Sequence, residues 1–245
     1  MNLEKHPVVP REEWLAARKE LLAWEKAFVK TMDEISQKRR ELPWVRVEAD
    51  YVFEGPGGKV PLAELFRGRS QLAVYHFMYG PGWKEGCSGC SFLSDHIDGA
   101  RRHFEHHDVA FAAVSRAPWA EFRDFRKRMG WTFPWVSSYG TNFNYDFGVS
   151  FTPEQLASGS VVYNYAETSD AIEELPGLSV FFRNASGEIF HTYSAYARGL
   201  DLLLGAHMIL DLTPKGRDEK STMDWVRHHD RYEIAGTPDG ECGCS

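Results

Sequence analysis

The chain has little cysteine. Four in 245 residues are too few for the disulfide-stapled scaffolds of small secreted domains, and in a reducing compartment a close thiol pair points to catalysis or metal binding rather than a structural cross-link. No apolar run approaches the roughly 18 residues that span a bilayer, and Met1 to Arg11 holds no apolar stretch of the kind a secretory leader needs. A cytoplasmic location with no membrane partner is the expectation. Basic residues are also in deficit: 28 Lys and Arg stand against 35 Asp and Glu, a net charge of -7, which opposes attraction to nucleic acid or anionic lipid. A phosphate-cradling loop is missing, because Gly57-Gly58-Lys59 lacks the spaced glycine and the Ser or Thr that such a loop needs. No organic cofactor is expected, and no internal repeat or low-complexity tract is visible.

What is present is a core. Hydrophobic residues make up 43% and aromatics 14%, enough to bury a large apolar interior without a second independent domain. The expected organisation is a single domain over 1–245, with a helical extension at 1–44, a core at 45–212 and a tail at 213–245. From Pro10 to about Glu41, Trp14, Leu21, Phe28 and Ile35 recur every seven residues, which predicts a long amphipathic helix. Its stripe needs a cover, either the body or a second copy of the chain, so homo-oligomerisation is an open expectation.

Val45 to Phe53 alternates like one strand, Gly55 to Gly58 supplies a turn, and Lys59 to Leu65 returns as a short strand or helical turn. Gln71 to Tyr79 reads as a buried strand, Ser91 to His107 as a helix and Val109 to Arg116 as a second strand, which together imply a right-handed parallel crossover. Pro118 starts a helix over Trp119 to Met129 that Gly130 ends. Phe133 to Gly148 reads as a short strand and an irregular loop. Leu178 to Arg183 and Glu188 to Tyr193 form a hairpin about Asn184 to Gly187, a helix follows over Gly199 to Leu210, and the aromatic patch Trp225 to Tyr232 is expected to dock on the body.

The chemistry concentrates at Cys87-Ser88-Gly89-Cys90, between the first buried strand and the helix. Backbone N–H groups and the helix dipole stabilise a thiolate at such a helix start. Cys87 lies nearer that start and is the expected nucleophile; Cys90, one turn on, is the expected resolving thiol. Glu85 and Lys84 flank the pair and would tune it in opposite directions. Arg116, at the end of the second crossover strand, sits on the edge where open parallel sheets place their sites. His103, His106 and His107 share a helix face but lack an accompanying carboxylate motif, which favours plain surface histidines. Trp131, Phe133, Trp135 and Tyr139 read as core filling before they read as a substrate groove.

This order of strand, CxxC, helix, strand, helix, proline, hairpin and helix resembles the thioredoxin fold over Val45 to Leu212. The resemblance implies a central mixed sheet flanked by helices, with an N-terminal helical extension and a C-terminal tail. It also implies that Pro176, in L-P-G-L-S-V-F-F, faces the cysteines in the usually cis form. The SRAP and FPWVSS segments look like an uncharacterised bacterial family of thioredoxin-like proteins, distantly similar to alkyl hydroperoxide reductases and thiol-specific antioxidants. Two departures stand out. Gly86 replaces the aromatic residue expected before the first cysteine, with Trp83 upstream instead, and Tyr75 and His76 occupy the strand that carries a buried aspartate in thioredoxins.

The expected function is thiol-disulfide exchange through Cys87 and Cys90, with protein or small-molecule disulfides as substrates and a cellular dithiol as donor. A thiol peroxidase is the nearest alternative, with Cys87 passing through a sulfenic acid; Pro81 fits the peroxidatic pattern and the matching Thr is missing. Cys242 and Cys244 are candidates for a secondary redox pair. Otherwise all four cysteines would share one zinc in a noncatalytic module, although Cys-x-Cys is a short spacing for that metal.

Overall fold

The computed structural model describes residues 6–233. Helix α1 (Arg11–Arg40) runs for 30 residues with Glu12 and Glu13 in its first turn and Lys38, Arg39 and Arg40 in its last, both signs matched to the helix dipole. The heptad stripe forms as predicted, yet the body does not cover it. No residue of α1 is buried, and Trp24 is 78% exposed. Contact with the body is made near the helix's C-terminal end, where the Arg39 guanidinium lies 5.4 Å from the centre of the Tyr193 ring.

The single strand expected over Val45 to Phe53 is two short ones, β1 (Val45–Arg46) and β2 (Val52–Gly55), toward opposite sides of the sheet. The stretch Glu48-Ala49-Asp50 between them crosses from one side of the sheet to the other, because it offers no large apolar side chain to hold a continuous strand on the core. Strand β3 (Gly58–Pro61) returns antiparallel on β2 through Gly58, whose φ of 105° a side chain would disfavour. Pro61 then leads into α2 (Leu62–Leu65), which buries Leu62 and Leu65.

The centre follows. Strand β4 (Gln71–His76), helix α3 (Ser88–His106) and strand β5 (Val109–Ser115) form a parallel crossover, and α4 (Trp119–Met129) leads to a third parallel strand, β6 (Trp135–Ser137). Gly130 closes α4 with φ of 68°, the left-handed cap its sequence predicts. Between β6 and the hairpin lie α5 (Phe143–Asp146), α6 (Pro153–Ala157) and a small separate ribbon of β7 (Val161–Tyr163) and β8 (Ala166–Thr168), which the sequence pattern does not predict. The closing hairpin, β9 (Gly177–Arg183) with β10 (Ile189–Tyr196), is antiparallel as expected. The helix predicted over Gly199 to Leu210 is broken into a 3-10 helix (Ala197–Leu203) and α7 (Gly205–Leu210). Leu204 leaves helical geometry there at φ -104°, ψ 79°. Glycine at Gly199 and Gly205 weakens continuous propagation.

The sheet order is β1-β10-β9-β4-β5-β6-β2-β3. Strands β10, β9, β4 and β5, a hairpin antiparallel to one side of a helix-linked parallel pair, are the thioredoxin arrangement, so the fold is thioredoxin-like α/β. Alternation along β4 and β5 splits the core between two faces. Tyr75 and Phe111 face Phe92, Leu93 and Ile97 of α3 and Phe122 and Phe125 of α4. Leu72, Val74 and Val114 face α2 and Phe143 on the other side. Trp131, Phe133 and Trp135 fill the first face, whereas Tyr139 is 59% exposed. The segment after α7 docks on the α3 and α4 side, burying Val226 and His228.

Candidate active site

The site is built where β4 ends. Two bonds bind the loop 77–86 and the start of α3 to each other: the Cys87 amide donates to the Met78 carbonyl at 3.2 Å, and the Met78 amide donates to the Cys90 sulfur at 3.4 Å. Helix α3 begins at Ser88, earlier than the sequence suggests, because Cys87 is itself the N-cap. Its sulfur accepts from the Cys90 amide at 3.5 Å, a position where an N-cap side chain satisfies an orphan N–H. Cys90 therefore sits in the first turn, 2% exposed, beneath a half-buried Cys87.

The two thiols differ in acidity. A hydrogen bond from the Cys90 thiol, opposed by burial and reinforced by the Cys90 and Gly89 amides, draws the Cys87 thiol down to about 7. Burial, then the neighbouring Cys87 sulfur, pushes Cys90 well above the ordinary thiol range. Beside Cys90 lies Tyr75, buried on β4 and lining the same cavity, and hydrogen bonding from its hydroxyl is among the causes that lower Cys90 against that burial. Burial, with Cys90 next to it, pushes Tyr75 well above the usual phenol range, so it stays a donor. In the sequence Tyr75 stands only as a departure from the thioredoxin pattern. The available signal was its period: residues 73, 75 and 77 alternate onto the α3 face of the sheet.

A cavity of about 260 Å³ opens beside the pair, its lining including Tyr75, Cys87, Cys90, Pro176, Leu200 and Met223. Pro176 is thus brought to the cysteines, as the resemblance implies, but no peptide bond among the described residues is cis. The incoming segment is held extended by Leu175 N to Val149 O (2.8 Å), and the Tyr163 hydroxyl donates to the Pro176 carbonyl at 2.7 Å. These bonds deliver the proline without an isomerised bond. Tyr163, from the unforeseen ribbon, also accepts from the Ala197 amide at 3.0 Å.

The chain belongs to the family DUF899, described as bacterial protein of unknown function, whose model matches residues 3–232. No curated protein matches it. Among solved structures, peroxidoxin BcpB from Mycobacterium tuberculosis is 12% identical with a TM-score of 0.44, over 67% of this chain and 93% of that one. Peroxiredoxin Q from Xanthomonas campestris is 15% identical with a TM-score of 0.43, over 67% and 96%.

Other residues singled out in the sequence of this DUF899 member lie apart from the thiols. Glu85 turns away to Arg128 and Arg231, whose hydrogen bonds hold its carboxyl below the usual range. It is not among the groups that set Cys87. Arg116 is gripped by Glu173 and Glu174 and leans on the Tyr145 ring at 5.9 Å. Trp83 packs partly buried on the core and over Gly80, where a Cβ would lie 2.9 Å from its indole nitrogen. Gly86 has a steric reason: a Cβ there would fall 2.6 Å from Phe77 and 2.9 Å from Phe125. Those two rings occupy the space an aromatic before Cys87 would need. Among the described residues no group of three or more His, Cys, Asp or Glu could hold a metal ion. Cys242 and Cys244 lie outside the described residues.

Proposed function

We propose that this protein is a thiol-disulfide oxidoreductase in which Cys87 attacks and Cys90 resolves. The observation that carries the reading is the placement of the two sulfurs within one helical turn, a half-buried Cys87 at the cap accepting from the Cys90 amide over a buried Cys90, and this environment draws Cys87 down and pushes Cys90 up. Exchange needs that asymmetry, since a substantial thiolate fraction at neutral pH must come from one sulfur while the other waits as a thiol.

The Cys87 thiolate attacks a disulfide sulfur of the substrate, forming a mixed disulfide and releasing the first thiolate, which is protonated from solvent. Cys90 then loses its proton and attacks the Cys87 sulfur. The second substrate thiolate leaves and the Cys87–Cys90 disulfide forms. Tyr75 donates to the Cys90 sulfur and favours the thiolate in that step. A cellular dithiol restores the reduced pair. The substrate is reduced by two electrons and the cysteines are oxidised by two.

The test is mass spectrometry of the alkylated protein after equilibration in glutathione buffers of graded potential. The reading requires reversible, joint loss of alkylation at Cys87 and Cys90 with a defined midpoint. Alkylation of both at every potential would exclude it, and protection that a chelator removes would replace it with a metal site.

A further inference from the structure

Resting on that exchange reading, we infer that the substrate is a small, uncharged disulfide with apolar substituents, one of which enters the cavity beside Cys87. Volume comes first. At about 260 Å³ the cavity is smaller than the roughly 300–1,000 Å³ of pockets for drug-sized ligands. Its chemistry agrees. Leu93, Leu200, Leu204 and Met223 form walls around the sulfur atoms, so the favourable term available to an entering group is apolar burial.

The charges at the edge are already engaged. Asp201 lies 2.8 Å from Arg198 and 3.8 Å from Arg217, and this mutual pairing leaves little field to draw in a polyanionic substrate.

The wall is also held in place at a conformational cost. Ala197 and Met223, both at the cavity, have φ of 45° and 60°, a left-handed backbone that L-residues with a Cβ disfavour. Such strain persists where surrounding contacts over-determine it. Here Ala197 is fixed by Tyr163, and the segment bearing Met223 is fixed on both sides. The Met223 amide donates to Glu219 at 3.1 Å, and beyond it His228 bonds the Gly86 carbonyl at 2.9 Å. Met223 then rests over Gly89, where a Cβ would come within 3.3 Å of its sulfur. This strap narrows the approach to a half-buried Cys87, which disfavours a folded protein carrying its disulfide at the surface.

The step balances as an exchange. Cys87 forms a bond to one sulfur of R–S–S–R while the other leaves as R–S⁻ and takes a proton from water. Cys90 next displaces the second R–S⁻ from Cys87, giving two R–SH and one protein disulfide.

The experiment measures second-order rate constants for oxidation of the fully reduced, full-length protein by dimethyl, diethyl, dipropyl and dibutyl disulfide, and by glutathione disulfide. Loss of Cys87 alkylation is the readout, and each rate is divided by that of dithiothreitol with the same reagent. Reactivity at sulfur barely changes along the n-alkyl series, so the ratio reports the cavity. The expected result is a rise of about fourfold per methylene, levelling when the cavity is filled, with glutathione disulfide slower than dipropyl disulfide. A flat series, or a preference for glutathione disulfide, overturns the cavity assignment while leaving the exchange reading intact. Failure of every disulfide to form the Cys87–Cys90 bond overturns both.

Discussion

The amide of Cys90 donates to the sulfur of Cys87 at 3.5 Å, so the two cysteines are cap and first turn of one helix. With Cys87 at about 7, its alkylation by iodoacetamide should rise between about pH 5.5 and 8.5 with a midpoint near 7. Below that midpoint the thiol form dominates and reaction slows. Cys90→Ala removes the largest cause of the depression, the hydrogen bond from the Cys90 thiol, and should move the midpoint up toward about 8.5. An unmoved midpoint would assign the acidity to the backbone amides instead.

Tyr75 matters at the second step. Tyr75→Phe deletes the donor to Cys90, and a hydrogen bond to a charged group contributes about 1.5–3 kcal/mol. Release of the second substrate thiol should slow by roughly 10- to 100-fold, while the midpoint for Cys87 alkylation stays in place. Rapid-mixing detection of the two thiols separates these steps.

Gly86→Ala should destabilise the fold by about 1–3 kcal/mol, because its methyl would meet the rings of Phe77 and Phe125. Urea unfolding compared with a Gly57→Ala control, where nothing lies within 4 Å, isolates the clash from the general effect of losing glycine.

His76 predicts an acid-side loss of stability. It is buried, bonds Ser179 at 2.8 Å through Nε2, and leaves Nδ1 without a partner. Burial, then His191, holds its pKa down to about 3. The unfolded imidazole protonates near pH 6.5 and the folded one does not, so the unfolded state binds more protons in between. Stability is therefore full above about pH 6.5 and falls as pH drops toward 3, by at most about 1.4 kcal/mol per unit. Urea titrations at pH 7.5 and 5.5 should show this fall, and His76→Gln should reduce it although its stability at neutral pH is lower.

The exposed stripe of α1 predicts self-association. Trp14, Trp24 and Phe28 are 50%, 78% and 60% exposed, and an antiparallel pair would set Glu12 and Glu13 of one copy beside Lys38 to Arg40 of the other. A parallel pair would bring like charges together. Sedimentation velocity should find a dimer that Trp24→Lys with Phe28→Lys converts to a monomer of unchanged circular dichroism. A monomer in the unaltered protein at high concentration would refute this.

By itself the sequence determined what local rules control. The period of α1, the stop at Gly130, the parallel crossover and the hairpin about Asn184 to Gly187 follow from side-chain spacing and turn residues, which act over a few positions. The CxxC pair was legible for the same reason, and the aromatic composition of Trp225 to Tyr232 marked that segment for burial without saying where it docks. Tertiary structure decided what depends on distant chain segments. It placed Val45 and Val52 toward opposite sides of the sheet, set Tyr75 against Cys90, engaged Arg116 with Glu173 and Glu174, and brought Met223 over Gly89. Those pairings join residues 15 to more than 100 positions apart, and only the closing of the sheet and the packing of its two faces brings them into contact.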